Sequence, residues 1–262
     1  MARMTLDELV SQLRAAYGIA LRSIVLYGSA AAGEHIAKRS DYNVLVIVDA
    51  LDPARLSAAS AASRAWADAG NPAPLTLTAA EWRGSADIFP MEYADILERH
   101  KVLYGDPPFD GIQVDLKDLR LQLEQEAMGK LIKLRQGVLA SGNEADRQLD
   151  LLAASLSAIM IIFRAFVRLH GETPPTDNAA LVDVVARRVQ LDASPFVRVI
   201  KHVRGESTLK ATDATATLGA YLRGMEQLVA YLDRYEATPE LSLCDRISVV
   251  CLFTRSFEEF RT

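Results

Sequence analysis

With 262 residues, half of them apolar, the chain suits one large or two modest domains with a substantial buried core. A net charge of −5 and 24% charged residues come without a polybasic or Arg-aromatic tract, which disfavours duplex or single-stranded nucleic acid as the main partner. The two cysteines, Cys244 and Cys251, exclude a disulfide framework and a cysteine-based zinc site.

Met1-Ala2-Arg3-Met4-Thr5-Leu6-Asp7-Glu8 reaches acidic residues at once and lacks the apolar stretch of a signal peptide, so a cytoplasmic protein is expected. Thr5 to Tyr17 then places Leu6, Leu9, Val10, Leu13 and Ala16 on one face, which predicts an amphipathic helix capped by Thr5 and stopped by Gly18. Ser23-Ile24-Val25-Leu26-Tyr27 and Asp41 to Val48 are nearly continuous apolar, β-branched runs and read as two buried strands. Between them, Gly28-Ser29-Ala30-Ala31-Ala32-Gly33 is built of small residues that let the backbone turn sharply.

A Gly-Ser turn opening a short helix offers unpaired N–H groups and the positive end of a helix dipole, a setting for phosphate. If the two strands pair, the Asp41 carboxylate comes close to whatever the turn holds, where a magnesium ion could bridge it to phosphate. Asn43, two residues on, shares a strand face with Asp41. The plainer alternative is an ordinary β-turn with Asp41 as a strand cap. His35, Lys38 and Arg39 lie in the spacer within reach of a triphosphate but read as solvated loop residues.

The run of strand, Gly28-Ser29, spacer, Ser40-Asp41-Tyr42-Asn43 and second strand resembles the nucleotidyltransferase superfamily that includes DNA polymerase beta and the aminoglycoside nucleotidyltransferases. Its signature is a Gly-Ser loop followed by an acidic-x-acidic pair on the next strand. Gly28, Ser29 and Asp41 match; Asn43 replaces the second acid with an amide. The resemblance implies an α/β N-terminal nucleotidyltransferase fold with a mixed sheet, followed by a C-terminal all-α helical bundle.

Downstream, Asp52-Pro53 opens an Ala-rich helix to about Ala69, and Pro74 to Thr78 reads as a third strand. In active relatives that strand carries a third metal-binding carboxylate; here it holds no acid. Thr78-Ala79-Ala80-Glu81 has the form of a capping box, which makes Glu81 a capping residue rather than a displaced metal ligand. Phe89 to His100 predicts another helix, and Lys101 to Gly105 a short edge strand. Ile96 to Tyr104 also resembles the way such domains end.

Asp106-Pro107-Pro108-Phe109-Asp110-Gly111 opposes helix continuation, so residues 1–105 are assigned to the first domain and 106–113 to a linker. Residues 114–236 are then expected to form the helical bundle. Its helices are predicted at about Leu116 to Ala140, Leu149 to Leu169, Asn178 to Val189, Pro195 to Val203 and Ala214 to Tyr235. The longest uncharged apolar run, Leu151 to Phe163, is too short to span a bilayer and reads as a core helix, so no membrane partner is expected. From Ala237 the β-like run around Leu241 to Cys251 breaks the pattern, and 237–262 is set apart as an irregular tail. His100, His170 and His202 have no metal-ligand spacing, and Trp66 and Trp82 read as packing groups.

In the first bundle helix, Glu126 and Lys130 share a face across Gly129, where glycine costs about 1 kcal/mol relative to alanine. Either something approaches that glycine or the cost is tolerated, and the pair alone could be a solvated ion pair. Glu126-Ala127-Met128-Gly129-Lys130 is, however, similar to the Glu-x-x-Gly-Lys element of kanamycin-type nucleotidyltransferases. There the acid is the general base for the acceptor hydroxyl and the lysine touches the nucleotide's phosphates.

The resemblance thus implies Asp41 and Glu126 as catalytic residues and Gly28, Ser29 and Lys130 as nucleotide-binding ones. Asp41 and Asn43 would bind Mg2+, weakly because the amide adds no charge. The implied reaction moves a nucleoside monophosphate from an NTP to a hydroxyl of a small molecule or a protein. A catalytically degenerate nucleotide- or protein-binding module is the alternative that Asn43 leaves open.

Overall fold

The two apolar runs around the Gly-Ser turn lie side by side in one sheet. The structure is a computed structural model that describes residues 4–28, 30–31 and 42–235. In it, β1 (Leu21–Tyr27) pairs antiparallel with β2 (Asn43–Val48), from Leu21 opposite Val48 to Tyr27 opposite Asn43. The end of β1 and the start of β2 are therefore held together by the ladder itself.

The chain divides into two compact units between Val114 and Asp115. In the first, α1 (Leu6–Tyr17) begins at a full capping box: the Thr5 hydroxyl accepts from the Glu8 N–H, and the Glu8 carboxylate accepts from that of Thr5. The helix α2 (Pro53–Asp68) starts at Asp52 with Pro53 in its first turn. It carries the chain over to β3 (Leu75–Thr78), which runs parallel to β2, the crossover that parallel neighbours require.

Then come α3 (Ala79–Gly84), α4 (Pro90–Glu98) and β4 (His100–Gly105), the last antiparallel to β1 at the sheet edge. The order β3-β2-β1-β4 makes a mixed sheet. Gly105 has a φ of +75°, and a Cβ there would stand 1.9 Å from the Arg22 carbonyl oxygen, so the end of β4 can close on β1 only with glycine.

Apolar residues alternate across β1 and β2. Ile24, Leu26, Val44, Val46 and Val48 pack with Leu9 and Leu13 of α1 and Ala59, Ala62 and Trp66 of α2. Trp82 is buried as well, stacked on Tyr93 with ring centroids 4.1 Å apart, while its indole N–H donates to the Pro108 carbonyl. Both tryptophans are packing groups.

The second unit is helical: α5 (Leu116–Ser141), α6 (Ala145–Leu169), α7 (Asn178–Val189), α8 (Ser194–Arg204) and α9 (Ala214–Arg234). The helix α6 starts four residues before the expected Leu149 and is long and apolar enough to cross a bilayer, yet it packs against α5, α7, α8 and α9 as the bundle's central helix. Buried Gln148 is satisfied at both ends, donating to the Gly142 carbonyl at 2.7 Å and accepting from the Thr215 hydroxyl at 2.8 Å. The helix expected over Phe89 to His100 is shorter, because Arg99 leaves helical geometry and His100 already pairs with Tyr27 in β4. The tail from Ala237, with Cys244 and Cys251, lies outside the described residues.

Candidate functional site

Gly28 ends β1 with a φ of +77°, a conformation that turns the chain away from the sheet at little cost for glycine. Two hydrogen bonds fix it. Its N–H donates to the Arg99 carbonyl at 2.9 Å, and its carbonyl accepts from the Ala31 N–H at 3.1 Å. The first bond ties the turn to the C-terminal end of α4, an element that no local pattern places there.

The space where a Gly28 side chain would sit is flanked by two polar groups. Asn43 Nδ2 is 3.4 Å from that position, and Asp95 Oδ2 is 3.7 Å from it. Asp95 lies one turn before the end of α4 and is held by Arg99, whose Nη2 and Nε donate to Oδ1 at 2.6 and 3.2 Å. With side-chain exposures of 24% for Asp95 and 16% for Arg99, this pair is far better shielded than a surface ion pair. The field of the α4 acids is felt nearby: burial raises the Tyr27 phenol pKa, and the charges of Asp95 and Glu92 raise it further.

Of the predicted site residues, Gly28 and Asn43 are thus brought together at one end of the β1–β2 ladder. Ser29 and Asp41, with His35, Lys38 and Arg39 of the spacer, lie outside the described residues. Sequence reasoning missed Asp95. It sits in a stretch legible only as helix, and no local pattern ties it to a turn 67 positions earlier.

Glu126 and Lys130 lie in the second unit, on α5, with Nζ 4.0 Å from Oε2 and side-chain exposures of 45% and 31%. The geometry is that of an i,i+4 pair worth about 0.3–0.5 kcal/mol. Nothing stands within 4 Å of a Cβ built on Gly129, so its helix cost is tolerated rather than forced by close approach. The glycine of α5 that a neighbour does approach is Gly137, where a Cβ would come within 2.5 Å of Leu151 on α6.

Glu81 caps α3 in a box with Thr78, and the Thr78 backbone N–H followed by its hydroxyl holds the Glu81 carboxyl below its ordinary pKa. It is a capping residue. Each remaining histidine has a local partner. His100 Nδ1 meets the Ile96 carbonyl, His170 lies between the Phe166 carbonyl and the Tyr231 hydroxyl, and His202 Nδ1 accepts from the Leu209 N–H.

Among the described residues no three His, Cys, Asp or Glu side chains gather into a metal centre. Of the two groups at the Gly28 turn, the Asp95 carboxylate is the hard oxygen type that magnesium takes, whereas Asn43 turns its amide nitrogen to the same position. Magnesium characteristically uses one or two carboxylates and completes its shell with substrate phosphates and water.

A mixed sheet with a glycine turn between its paired central strands, followed by a helical bundle, defines the class: the chain has a nucleotidyltransferase fold joined to an all-α unit. No family model and no curated protein matches the sequence. Among solved structures, it is similar to the spectinomycin adenyltransferase of Enterococcus faecialis, crystallised with ATP and spectinomycin. The TM-score is 0.54 at 12% identity, over 84% of this chain and 98% of that one. The likeness therefore extends into both units.

Proposed function

We propose that the chain is a nucleotidyltransferase that moves a nucleoside monophosphate from a magnesium-bound NTP to a hydroxyl of a small molecule or a protein, in the cytoplasm. The observation that carries this reading is the fold likeness to an adenyltransferase, reaching beyond the sheet into the helical half. The Gly28 turn supports it, because small residues and a positive φ leave the backbone open to phosphate at the end of a strand.

In this reading Gly28, Ser29 and the loop amides hold the outer phosphates, and Asp41 and Asn43 would hold Mg2+, which neutralises the triphosphate. Lys130 offsets charge developing on the leaving pyrophosphate. The acceptor oxygen bonds to the α-phosphorus, the bond from that phosphorus to the bridging oxygen breaks, and Glu126 takes the acceptor's proton. Pyrophosphate leaves.

The test is pyrophosphate release with each of the four NTPs against a panel of hydroxylated acceptors that includes spectinomycin, with product mass read in parallel. Release coupled to a product heavier by one nucleoside monophosphate is the expected result. In Glu126→Gln, turnover should fall about 10²–10⁴-fold, the range for loss of a general base. A second reading is favoured by Asn43 and by the acid-free strand Leu75-Thr76-Leu77-Thr78: a module that binds nucleotide without transfer. Binding with no product across the panel would select it.

A further inference from the structure

The helix α5 is apolar on two sides. Leu119, Leu123, Ala127, Leu131 and Leu134 are buried, and the helix packs against α6 and α9. On the other side Leu121, Met128, Ile132 and Leu139 are exposed, from 43% at Met128 to 84% at Leu139. At 3.6 residues per turn these four fall within about 20° of one line along the helix. Among the described residues of the second unit, only Ile161 adds a large apolar side chain at such exposure. An aligned apolar stripe is what a helix presents to a partner rather than to water.

The stripe has the spacing of a coiled-coil seam, because Leu121, Gln125, Met128, Ile132, Arg135 and Leu139 follow one another in alternating steps of four and three residues. Its order also reads the same from either end: each residue lies as far before Lys130 as its mate of like character lies beyond it. An antiparallel copy of the same helix would set Leu121 on Leu139, Met128 on Ile132 and Gln125 on Arg135, each layer occurring twice. Arg135 would then come alongside the second copy's Glu124, an opposite charge, whereas a parallel copy would stack Arg135 on Arg135. Gly129, open within its own chain, presents no side chain beside the middle of the seam to hold a second helix off.

A partner of unrelated sequence has no use for a stripe that repeats about its own midpoint; a second copy does. We propose that this face of α5 is the interface of a homodimer, in which two α5 helices pair antiparallel about a two-fold axis level with Lys130. The Glu126 and Lys130 side chains are turned about 140° and 180° away from the stripe, so the pairing is independent of the transfer reaction.

Sedimentation equilibrium of the full chain over about 1–100 µM should show the mean mass rising toward that of two chains. Met128→Glu and Ile132→Glu should each weaken the dimer at least about 100-fold, because every substitution enters the interface twice. Both side chains are exposed in the single chain, so thermal midpoints of the variants should match the wild type's at concentrations where all are monomeric. Orientation is read by cross-linking in a Cys244→Ser/Cys251→Ser background: under oxidised glutathione, Leu121→Cys mixed with Leu139→Cys should form the disulfide between unlike chains, and neither variant should link to itself. A full chain that stays monomeric throughout overturns the proposal, whether residues 236–262 or water covers the stripe. A dimer that both glutamate variants leave intact also overturns it, as does self-linking of Leu121→Cys alone.

Discussion

At Gly28 and Gly105 a single methyl group would meet the backbone geometry directly. At Gly28 an alanine would adopt a left-handed conformation that costs about 1–2 kcal/mol, with its Cβ 3.4 Å from Asn43 Nδ2. Gly28→Ala should therefore lower the free energy of unfolding by about 1–2 kcal/mol in urea titration, and it should displace Asn43 enough to weaken nucleotide binding. Gly105→Ala should cost more, because its Cβ would overlap the Arg22 carbonyl oxygen and only separation of β4 from β1 relieves it. An unchanged unfolding midpoint in either variant would contradict these assignments. Gly28 was legible from sequence as a turn residue, whereas the place of Asp95 beside it was not: that depends on α4 returning to the turn, and nothing within a few residues of Asp95 encodes the return.

At the scale of elements, local chemistry fixed the helix starts well. Thr5 with Glu8, Asp52 with Pro53, Thr78 with Glu81, and Asp177 each satisfy N–H groups within three residues, so the capping signal needs no knowledge of the fold. Close approach between helices is the opposite case. Gly137 faces Leu151 and Gly224 faces Phe196, with would-be Cβ distances of 2.5 and 2.6 Å, while the more conspicuous Gly129 faces open space. Gly129→Ala should accordingly stabilise the protein by about 1 kcal/mol, whereas Gly137→Ala and Gly224→Ala should lower the thermal midpoint.

The α6–α9 contact also carries a pH dependence. His170, at the end of α6, has its pKa lowered chiefly by burial, with Arg188 adding to the shift and the Phe166 carbonyl and Glu172 opposing it. Its Nε2 meets the Tyr231 hydroxyl of α9 at 3.0 Å. The unfolded histidine titrates near its ordinary value of about 6.5, so below that pH the unfolded state binds more protons than the folded one. The His170 contribution is thus intact above pH about 6.5 and is lost as pH falls through the lower folded value. Urea midpoints of the wild type should fall more steeply between pH 7 and 5 than those of His170→Gln; parallel curves would contradict the assignment.

For the whole molecule, the order β3-β2-β1-β4 and the helical second unit give the same architecture that the family resemblance carried by Gly28, Ser29 and Asp41 implied. That much was legible because a strand, a glycine turn and a second strand form a short, contiguous pattern. The substrate was not, since an acceptor is chosen by side chains dispersed along the sequence, and a likeness at 12% identity conveys fold without those choices. The most direct measurement is calorimetric titration of ATP, GTP, CTP and UTP, with and without Mg2+, into the wild type and Asp41→Ala. The account predicts binding of at least one nucleotide that Mg2+ strengthens, with a Kd below about 1 mM or roughly −4 kcal/mol, and loss of that strengthening in Asp41→Ala. No binding of any nucleotide under either condition would contradict it.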